Sequence, residues 1–326
     1  MKFYLAPMEG LTGYVYRNAY HQFFTAMDSY FTPFLSPTQK KVLKSREKKD
    51  VAPEHNEGRN VVPQILTNQS SHFIETCRYL AGLGYREVNL NLGCPSKTVV
   101  TKRKGAGFLD DPRALDQFFA EVFQGLSSDS SLKGMKVSVK TRLGLSFAEE
   151  FPDLLNVYNA HPISELIVHP RVQEDFYDHT PDLTQFQYAW EKSVHPVCYN
   201  GDIFTKAQYE QLLSRFPTLE RIMLGRGILA NPALLEEITG MGKLDSRRLT
   251  LFHEALYQGY QKEMNSERDT LFKMKALWFY LGKLYPDAKK EKKAIKKATR
   301  FLEYEPAVAM LLSREPVTSA ITFTQI

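Results

Sequence analysis

Short apolar segments rich in Val, Ile, Leu and aromatic residues recur along residues 1–240, and helical patterns separate most of them. We predict strands at Phe3–Ala6, Ser29–Phe31, Val61–Ile65, Glu87–Leu92, Lys136–Lys140, Glu165–His169, Pro196–Asn200 and Arg221–Leu224. Helices are predicted between most of them, for example at Ser71–Ala81, Pro112–Gly125, Ala148–Ala160 and Lys206–Ser214. This alternation over about 240 residues predicts a (β/α)8 TIM barrel, an α/β fold. A doubly wound sheet has a similar rhythm, but no GxGxxG follows the first strand, which argues against a dinucleotide-binding domain.

Polar, glycine and proline residues follow almost every predicted strand. In chain order these segments are APMEG, PQIL, NLGCPS, VKTRLG, VHPR, YNGD and LGRG. Any one of them alone is more typical of a turn than of a binding site. In a barrel, however, the carboxyl ends of the strands converge on one face, where the loops build the active site. We therefore predict one pocket made from these separate segments.

The last two of these segments predict a phosphate site. YNGDI and LGRGI close the seventh and eighth strands, and loops at these positions commonly bind phosphate because glycine lets backbone N–H groups approach the anion. Arg226 would add a charge-assisted contact. On the opposite side, the Pro7–Met8 dipeptide, Gln64 and Lys140 would suit a flat, apolar heterocycle with a polar edge.

The cysteine pattern excludes some classes of site. Cys77, Cys94 and Cys198 lie far apart and no CxxC is present, which argues against a disulfide framework and against a thiolate zinc site, so no metal is expected. The first residues hold no continuous apolar segment typical of a secretion signal, and no apolar run approaches the ~18 residues of a membrane span. We expect a cytoplasmic protein without membrane contact.

Positive charge is concentrated in the last quarter of the chain. The net charge is +5, and residues 241–326 hold 16 Lys and Arg against 10 Asp and Glu, which leaves 26 against 27 in residues 1–240. Such asymmetry suggests a polyanionic partner. Amphipathic helices are predicted in this part of the chain, at Leu249–Met264, Thr270–Pro286 and Ala288–Glu305.

A set of motifs resembles the tRNA-dihydrouridine synthases, which are FMN-dependent reductases of uridine in RNA. The motifs are APMEG, PQIL, NLNLGCPS, GAGFLDDP, VKTRLG, VHPR, YNGDI and LGRGILANP, in the right order over residues 1 to about 240. The resemblance implies an FMN-binding TIM-barrel catalytic domain at 1–242 and a small helical RNA-binding domain at 243–326. It implies that FMN is held by Pro7, Met8, Glu9, Gln64, Lys140, His169, Asn200, Gly201, Asp202, Gly225 and Arg226. One departure is Pro170 in VHPR, where many members have glycine.

The resemblance also implies the chemistry. Reduction of uridine to 5,6-dihydrouridine requires a hydride at C6, delivered from N5 of reduced FMN, and a proton at C5. The resemblance places the proton donor at Cys94. An ordinary thiol has a pKa of about 8.5 and is mostly protonated at neutral pH, so a cysteine can donate this proton. Asn91, Arg142 and Arg171 would bind substrate. No Rossmann segment is present, so NADPH and the substrate are expected to use the same flavin face one after the other. The protein is expected to be a monomer.

A tRNA substrate gives the predicted helix at Ala288–Glu305 a role. Its basic residues, which span about 160° of the helix, are predicted to bind phosphates without reading sequence. The predicted contacts are Lys289, Lys293, Lys296, Lys297 and Arg300. A merely solvated face and a membrane-surface helix are the competing interpretations, and the few large apolar residues on the other side argue against the membrane. A second basic segment, Gln39–Asp50, either touches RNA or is solvated.

Other functions fit parts of the pattern. A small-molecule FMN oxidoreductase of the dihydroorotate dehydrogenase type would leave the basic helical extension without a role. An RNA-binding protein on an inactive barrel would have lost Cys94 or Lys140, and an aldolase or isomerase barrel would bind no flavin. A dihydrouridine synthase acting on ribosomal RNA is a further alternative, because the sequence does not indicate which uridine is reduced.

Overall fold

The computed structural model describes residues 1–319, Ile321 and Phe323. The strands are β1 (Lys2–Leu5), β2 (Ser29–Phe31), β3 (Val61–Val62), β4 (Gln64–Ile65), β5 (Glu87–Leu92), β6 (Lys136–Thr141), β7 (Glu165–Val168), β8 (Val197–Tyr199) and β9 (Arg221–Leu224). They form one parallel sheet in the order β3-β2-β1-β9-β8-β7-β6-β5-β4. The strand positions agree with the predicted ones to within a few residues.

Helices lie between the strands and follow the last one. They are α1 (Tyr14–Phe23), α2 (Ser45–Asp50), α3 (Ser70–Gly82), α4 (Lys97–Val100), α5 (Pro112–Ser128), α6 (Phe151–Asn159), α7 (Leu183–Lys192), α8 (Lys206–Arg215), α9 (Arg226–Ala230), α10 (Leu234–Thr239), α11 (Ser246–Glu263), α12 (Glu267–Leu281), α13 (Lys289–Lys297) and α14 (Phe301–Leu312). We call α11 to α14 the helical region. Among the described residues, none of these helices combines the length and the apolarity needed to cross a bilayer.

The third predicted strand is divided at Pro63 into β3 and β4. Proline has no N–H to donate to a ladder, so the regular pairing is interrupted at this residue. β3 pairs with β2 and β4 pairs with β5, while the Pro63 carbonyl accepts a hydrogen bond from the Asn89 N–H at 2.9 Å. Because the two pieces are consecutive in the chain, they share one strand position and close the ring. The predicted TIM barrel is confirmed.

A separate group of side chains fills the inside of the barrel. It contains Tyr4, Ala6, Phe31, Val62, Ile167, Cys198 and Met223, all of them buried. Alternate residues of the same strands, such as Leu5, Leu166 and Leu224, belong to the larger core that packs against the helices. The barrel is therefore filled by side chains below its rim, as a small barrel of this kind normally is.

The helical region packs against α1 of the barrel. Phe252 of α11 contacts the rings of Tyr16 and Phe24 edge-on, at centroid distances of 5.8 and 5.2 Å. A Cβ at Gly259 would lie 2.7 Å from Cγ1 of Val15, so this glycine permits the close approach of the two helices. Buried side chains of both regions form one continuous core. The division of the chain at residue 242 stays a prediction, and part of the predicted second domain's C-terminal end lies outside the described residues.

The single helix predicted at Ala288–Glu305 is wrong, because the structure has two helices there, α13 and α14. The Glu303 carboxylate accepts a hydrogen bond from the Arg300 N–H at 3.3 Å, which caps the start of α14. The Lys275 ammonium donates to the Ala298 carbonyl at 2.7 Å, next to the end of α13. Arg300 therefore begins a new helix and does not continue the basic face of α13.

Glu165 begins β7 at the end of the barrel opposite the rim. Its carboxylate accepts a hydrogen bond from the Tyr4 hydroxyl at 3.2 Å, and Oε1 lies 3.7 Å from Nε of Arg221. Burial raises the pKa of Glu165 to about 7, because the loss of water outweighs the attraction of Arg221. The folded protein therefore binds this proton more tightly than the unfolded chain does. Stability from this group is lost as pH rises from the ordinary carboxyl value of 4.5 to about 7.

Glu165→Gln should remove this pH dependence. The amide keeps an oxygen for the Tyr4 hydroxyl and does not ionise, so the variant should exceed the wild type in free energy of unfolding by about 2 kcal/mol at pH 8 and by little at pH 5. Urea denaturation at both pH values measures the difference. Glu220→Gln, which changes a more exposed carboxylate beside Arg221, is the matched control. Equal gains at both pH values would contradict the interpretation.

Candidate active site at the carboxyl ends of the strands

A cavity that is partly open to solvent lies at the carboxyl ends of the strands. It is lined by Ala6, Pro7, Met8, Gly93, Lys140, Arg142, His169, Tyr177, Asn200, Gly201, Asp202, Phe204, Gly225, Arg226 and Gly227. The structure thus brings together most of the residues predicted from separate loops. The other predicted residues near the rim do not line this cavity; they are Glu9, Gln64, Asn91, Cys94 and Arg171. Cys94 directly follows Gly93, which does line it.

Gly225 keeps space open between the ends of β1 and β9. A Cβ at this position would lie 3.2 Å from Cβ of Ala6 and 3.6 Å from Sδ of Met8, on the wall of the cavity. The loop that carries Met8 is fixed, because the Met8 N–H donates to Oγ1 of Thr12 at 2.8 Å. Glycine at this position therefore lets a ligand approach the backbone of the loop after β9.

One carboxylate holds two arginines beside the cavity. Asp202 accepts hydrogen bonds from Arg171 and from Arg226. Arg171 is only 1% exposed and also donates to the His179 carbonyl. It therefore supports Asp202 from outside the cavity lining, and the predicted contact between Arg171 and substrate stays a prediction. Two guanidinium groups against one carboxylate leave a net positive charge, which favours a bound anion.

His169 is a neutral residue held in one orientation. Its Nδ1–H donates to the Asn200 carbonyl at 2.6 Å, and burial lowers the pKa of the imidazole well below its ordinary value. A carbonyl only accepts, so Nδ1 carries the proton and Nε2, 3.2 Å from Nη1 of Arg171, is an acceptor. The Asn200 amide donates to the Met223 carbonyl at 2.8 Å and so links the loop after β8 to β9.

Lys140 is a basic side chain of the cavity lining that lacks a protein partner in the part of the chain that the structure describes. Its ammonium makes no hydrogen bond or ion pair there, whereas Arg142, Arg171 and Arg226 all make them. Burial lowers the pKa of Lys140 to about 7, and repulsion from Arg142 adds to the effect. The residue keeps some accessible surface because it borders the cavity, but the surrounding protein dominates its electrostatics. A buried ammonium without a counter-charge is costly, so an anionic ligand group is favoured beside it.

A chain of buried amide hydrogen bonds lies beneath Cys94. Oδ1 of Asn91 accepts from the N–H groups of Gly93 and Cys94, at 3.1 and 2.9 Å. The Asn91 amide donates to Oε1 of Gln64 at 2.7 Å, and the Gln64 amide donates to Oδ1 of Asn89 at 2.8 Å. Gln64 and Asn91 therefore position the Cys94 loop. The predicted contacts of Gln64 with the cofactor and of Asn91 with uracil stay predictions, since the amide nitrogen of each residue has a second N–H.

The surroundings of Cys94 favour its protonated thiol. Burial raises the pKa of the thiol above its ordinary value and Glu9 raises it further, whereas Arg142 and Lys140 oppose the rise. The pKa of a nucleophilic cysteine is instead depressed, because the thiolate is the reactive form. The electrostatics of the site thus favour a proton donor at this position.

Two side chains predicted to contact a ligand, those of Glu9 and Arg142, have partners within the protein. Glu9 forms an ion pair with Arg46 of α2, outside the cavity. Arg142 lines the cavity, but its guanidinium donates to the carbonyls of Gly93 at 2.9 Å and Val172 at 2.7 Å. Arg142 therefore ties the loop after β5 to the loop after β7 while it lines the cavity.

Tyr177 is a cavity residue that the sequence analysis does not identify. Its ring centre lies 4.7 Å from the guanidinium carbon of Arg226 and 5.4 Å from that of Arg142, both within the range of a cation–π contact. The side chain is 41% exposed. The sequence feature that could have indicated Tyr177 is an aromatic residue within the polar segment just after VHPR, on the loop that follows β7.

Comparison with known proteins identifies the family. A family model described as dihydrouridine synthase matches residues 4–301. The chain belongs to the dihydrouridine synthase family. This confirms the resemblance seen in the motifs and makes the chain a member of an oxidoreductase family.

Sequences of named relatives align with most of this chain. The "Probable tRNA-dihydrouridine synthase" of Staphylococcus aureus strain Mu50 is 28% identical over 274 residues, which cover 80% of this chain and 79% of that protein. The "tRNA-dihydrouridine(16) synthase" of Aquipseudomonas alcaligenes is 27% identical over 247 residues, which cover 74% and 76%.

Solved structures of other enzymes share the barrel. Morphinone reductase in complex with tetrahydroNAD aligns with a TM-score of 0.51 over 74% of this chain and 88% of that one, at 13% identity. The old yellow enzyme homologue of Zymomonas mobilis aligns with a TM-score of 0.51 over 74% and 89%, at 11% identity. At such low identity these structures support the fold alone.

Gly105 packs directly against Cys94. Its φ of 56° is a conformation that L side chains rarely adopt. A Cβ here would lie 2.9 Å from the Cys94 carbonyl oxygen and 3.0 Å from Cγ1 of Val99. The Ala106 N–H donates to the same carbonyl at 3.1 Å. A side chain at Gly105 must therefore shift the backbone of Cys94.

Gly105→Ala should accelerate the alkylation of Cys94 by iodoacetamide about fivefold or more, because the displaced thiol gains contact with water and its pKa falls. Cys77 and Cys198 are fully buried, so the alkylation rate of the native protein measures the reactivity of Cys94 alone. Gly134→Ala is the matched control, because φ is 80° there and a Cβ would meet no atom within 4 Å. Gly134→Ala should lose about 1 kcal/mol of stability from backbone strain, and Gly105→Ala should lose more because its Cβ also displaces the Cys94 backbone. Equal alkylation rates in all three proteins would refute the packing argument.

Proposed function

We propose that the protein binds FMN in the cavity and reduces uridine in tRNA to 5,6-dihydrouridine, with NADPH as the reductant and Cys94 as the proton donor. One observation carries this proposal: Lys140, which has no hydrogen-bond or ion-pair partner among the described residues, and the thiol of Cys94 lie within electrostatic range of each other beside one cavity. The lysine suits a ligand on which negative charge develops, and the thiol suits a carbon that accepts a proton. Family membership and the names of the relatives support the same reaction.

The residues at the cavity fit FMN. The phosphate of FMN suits the positive charge of the two arginines around Asp202 and the open backbone at Gly225. Of the two arginines, Arg226 lines the cavity and would contact the phosphate. The Pro7–Met8 segment offers an apolar wall for a flat ring, and Lys140 offers a cation for its polar edge. When bound, FMN would supply the hydride that reduces the substrate.

The chain's own contribution to the chemistry is a proton and a fixed geometry. The C5–C6 double bond of uracil becomes single when C6 gains a hydride and C5 gains a proton. Cys94 donates that proton as its S–H bond breaks, and the thiolate left behind takes a proton from water. The amide chain through Gln64 and Asn91 holds the Cys94 backbone while this occurs. Lys140 stabilises negative charge that develops in the cavity.

A groove between α12 and α13 supports RNA binding by the helical region. Its lining includes Lys275, Lys283, Lys292 and Lys296 together with Phe272 and Phe279. The two phenylalanines are 71% and 53% exposed. Cations beside exposed rings are the combination that binds unstacked nucleotides, through phosphate contacts and base stacking. The predicted contacts Lys289, Lys293, Lys297 and Arg300 are also exposed, and the RNA-binding role of all of them belongs to this proposal.

The monomeric state, the cytoplasmic location and the use of NADPH belong to the same proposal and stay predictions. Within residues 1–319, Ile321 and Phe323, no group of His, Cys, Asp and Glu side chains is arranged to hold a metal ion. The proposed reaction uses no metal.

Cys94→Ala should separate proton donation from flavin chemistry. The variant should bind FMN like the wild type and oxidise NADPH slowly with oxygen, but its rate of dihydrouridine formation should fall at least about a hundredfold. The measurement is anaerobic. Protein reduced with NADPH is mixed rapidly with unmodified tRNA transcript, with ribosomal RNA, with orotate or with buffer. Flavin reoxidation is then followed, and dihydrouridine is quantified in the product.

Each outcome of this experiment bears on one part of the proposal. Fast reoxidation by tRNA that is lost in Cys94→Ala supports it. Reoxidation by orotate and not by RNA would identify a small-molecule reductase of the dihydroorotate dehydrogenase type, and a response to ribosomal RNA alone would change the substrate. A wild type without flavin would refute the cofactor. Cys77→Ala removes a fully buried thiol outside the cavity and should stay active.

Charge reversal on α13 should weaken RNA binding and leave flavin binding unchanged. The triple variant Lys289→Glu, Lys293→Glu and Lys297→Glu should bind tRNA at least about tenfold more weakly at low salt. The slope of log affinity against log salt concentration should become shallower by about two, since three phosphate contacts are lost. Filter binding at several salt concentrations measures both quantities. Lys133→Glu, an exposed site at the opposite end of the barrel, is the control, and an unchanged slope would show that α13 is only solvated.

A further inference from the structure

The described residues that follow α14 return from the helical region to the rim of the barrel. The Val317 N–H donates to the Leu284 carbonyl at 2.8 Å, and Thr318 borders a groove together with Thr205, which follows β8. Ile321 is 1% exposed and belongs to the main core. We call residues 315–319, Ile321 and Phe323 the C-terminal tail. Two of its apolar side chains are thus placed against the barrel after it leaves α14.

Phe323 lies between a cation of the barrel and a cation of the helical region. Its ring centre is 5.2 Å from the guanidinium carbon of Arg226 and 5.1 Å from Nζ of Lys283. The ring also packs on Phe204 and Tyr280, at centroid distances of 4.8 and 5.7 Å. These contacts join the tail to the loop after β8, to α12 and to the residue that begins α9.

Arg226 is consequently surrounded by aromatic rings from three segments of the chain. Tyr177 comes from the loop after β7, Phe204 from the loop after β8, and Phe323 from the tail, at 4.7, 5.6 and 5.2 Å from the guanidinium carbon. Asp202 accepts a hydrogen bond from the same guanidinium. An arginine held in this way has lost most of its rotamer freedom and part of its water before any ligand binds.

We propose that the C-terminal tail completes the phosphate site of the cofactor, with Phe323 as a positioning residue that acts through Arg226. The inference rests on the proposed binding of FMN in the cavity. A preorganised guanidinium binds phosphate more tightly than a mobile one, because less entropy is lost when the contact forms. Retention of the cofactor therefore depends on Phe323 as well as on the barrel loops.

Flavin binding with and without the phosphate tests this role. The dissociation constants of FMN and of riboflavin are measured for the apoprotein by quenching of flavin fluorescence. Phe323→Ala should weaken FMN binding about fivefold, the size of a partly desolvated cation–π contact, and should leave riboflavin binding unchanged. Phe323→Tyr, which keeps a ring, should restore FMN binding. In an Arg226→Ala background, Phe323→Ala should change FMN binding by less than about twofold.

A matched control and the contrary outcomes complete the test. Phe279→Ala removes a more exposed ring that also packs on Tyr280, and it should leave both constants unchanged. Wild-type affinity for FMN in Phe323→Ala, or equal weakening of FMN and riboflavin, would show that the tail only packs and would overturn this inference alone. A wild type that binds neither flavin would overturn the proposed function, and the tail inference with it.

Discussion

Closure of a parallel sheet is the constraint on which the site depends. Because all the strands run in the same direction around the ring, the loops after β1, β6, β7, β8 and β9 meet at one rim although they are far apart in the sequence. The interior side chains of Tyr4, Phe31 and Met223 fill the ring below that rim. Pro63 interrupts the ladder, but the chain continues through it and the ring stays closed.

The rim carries more positive charge than negative charge. Some of its basic side chains have partners within the protein and one does not. Arg142 is satisfied by backbone carbonyls, and Asp202 is shared by two arginines. Lys140 has neither kind of partner among the described residues, and its pKa near 7 reflects that isolation. Buried charge of one sign destabilises a protein unless a counter-charge arrives. The cavity is thus built for an anionic ligand, and binding such a ligand should stabilise the folded state.

The barrel and the residues at its rim were accessible to sequence analysis because they depend on local patterns. Strand-length apolar segments followed by glycine and polar residues are visible in the chain without any contact information. The break between α13 and α14 was not predicted, because it depends on Glu303 capping a new helix start where basic residues favour one continuous helix. The residues that surround Arg226 were also missed. Tyr177 and Phe323 meet there only through the tertiary fold.

The hydrogen-bond partners of the buried polar residues were the hardest feature to predict. An amide such as Gln64 or Asn91 looks the same in a sequence whether it binds a ligand or another amide. The structure shows that each is paired with protein groups, and that Arg171 lies behind Asp202. Type and approximate position were predictable, since all these residues lie at strand ends. The direction in which each polar group points was not, because it is fixed by neighbours from other strands.

Burial of Cys94 has a consequence for the durability of the protein. Peroxides and electrophiles react with the thiolate, so a raised pKa keeps the sulfur in its less reactive form at neutral pH. Cys77 and Cys198 are sealed inside the core, and none of the three cysteines is paired in a disulfide. The same burial that keeps a proton on Cys94 thus slows its oxidation to sulfenic acid. A sulfur at the edge of an open cavity is preserved here by its electrostatic environment, without a second thiol to regenerate it.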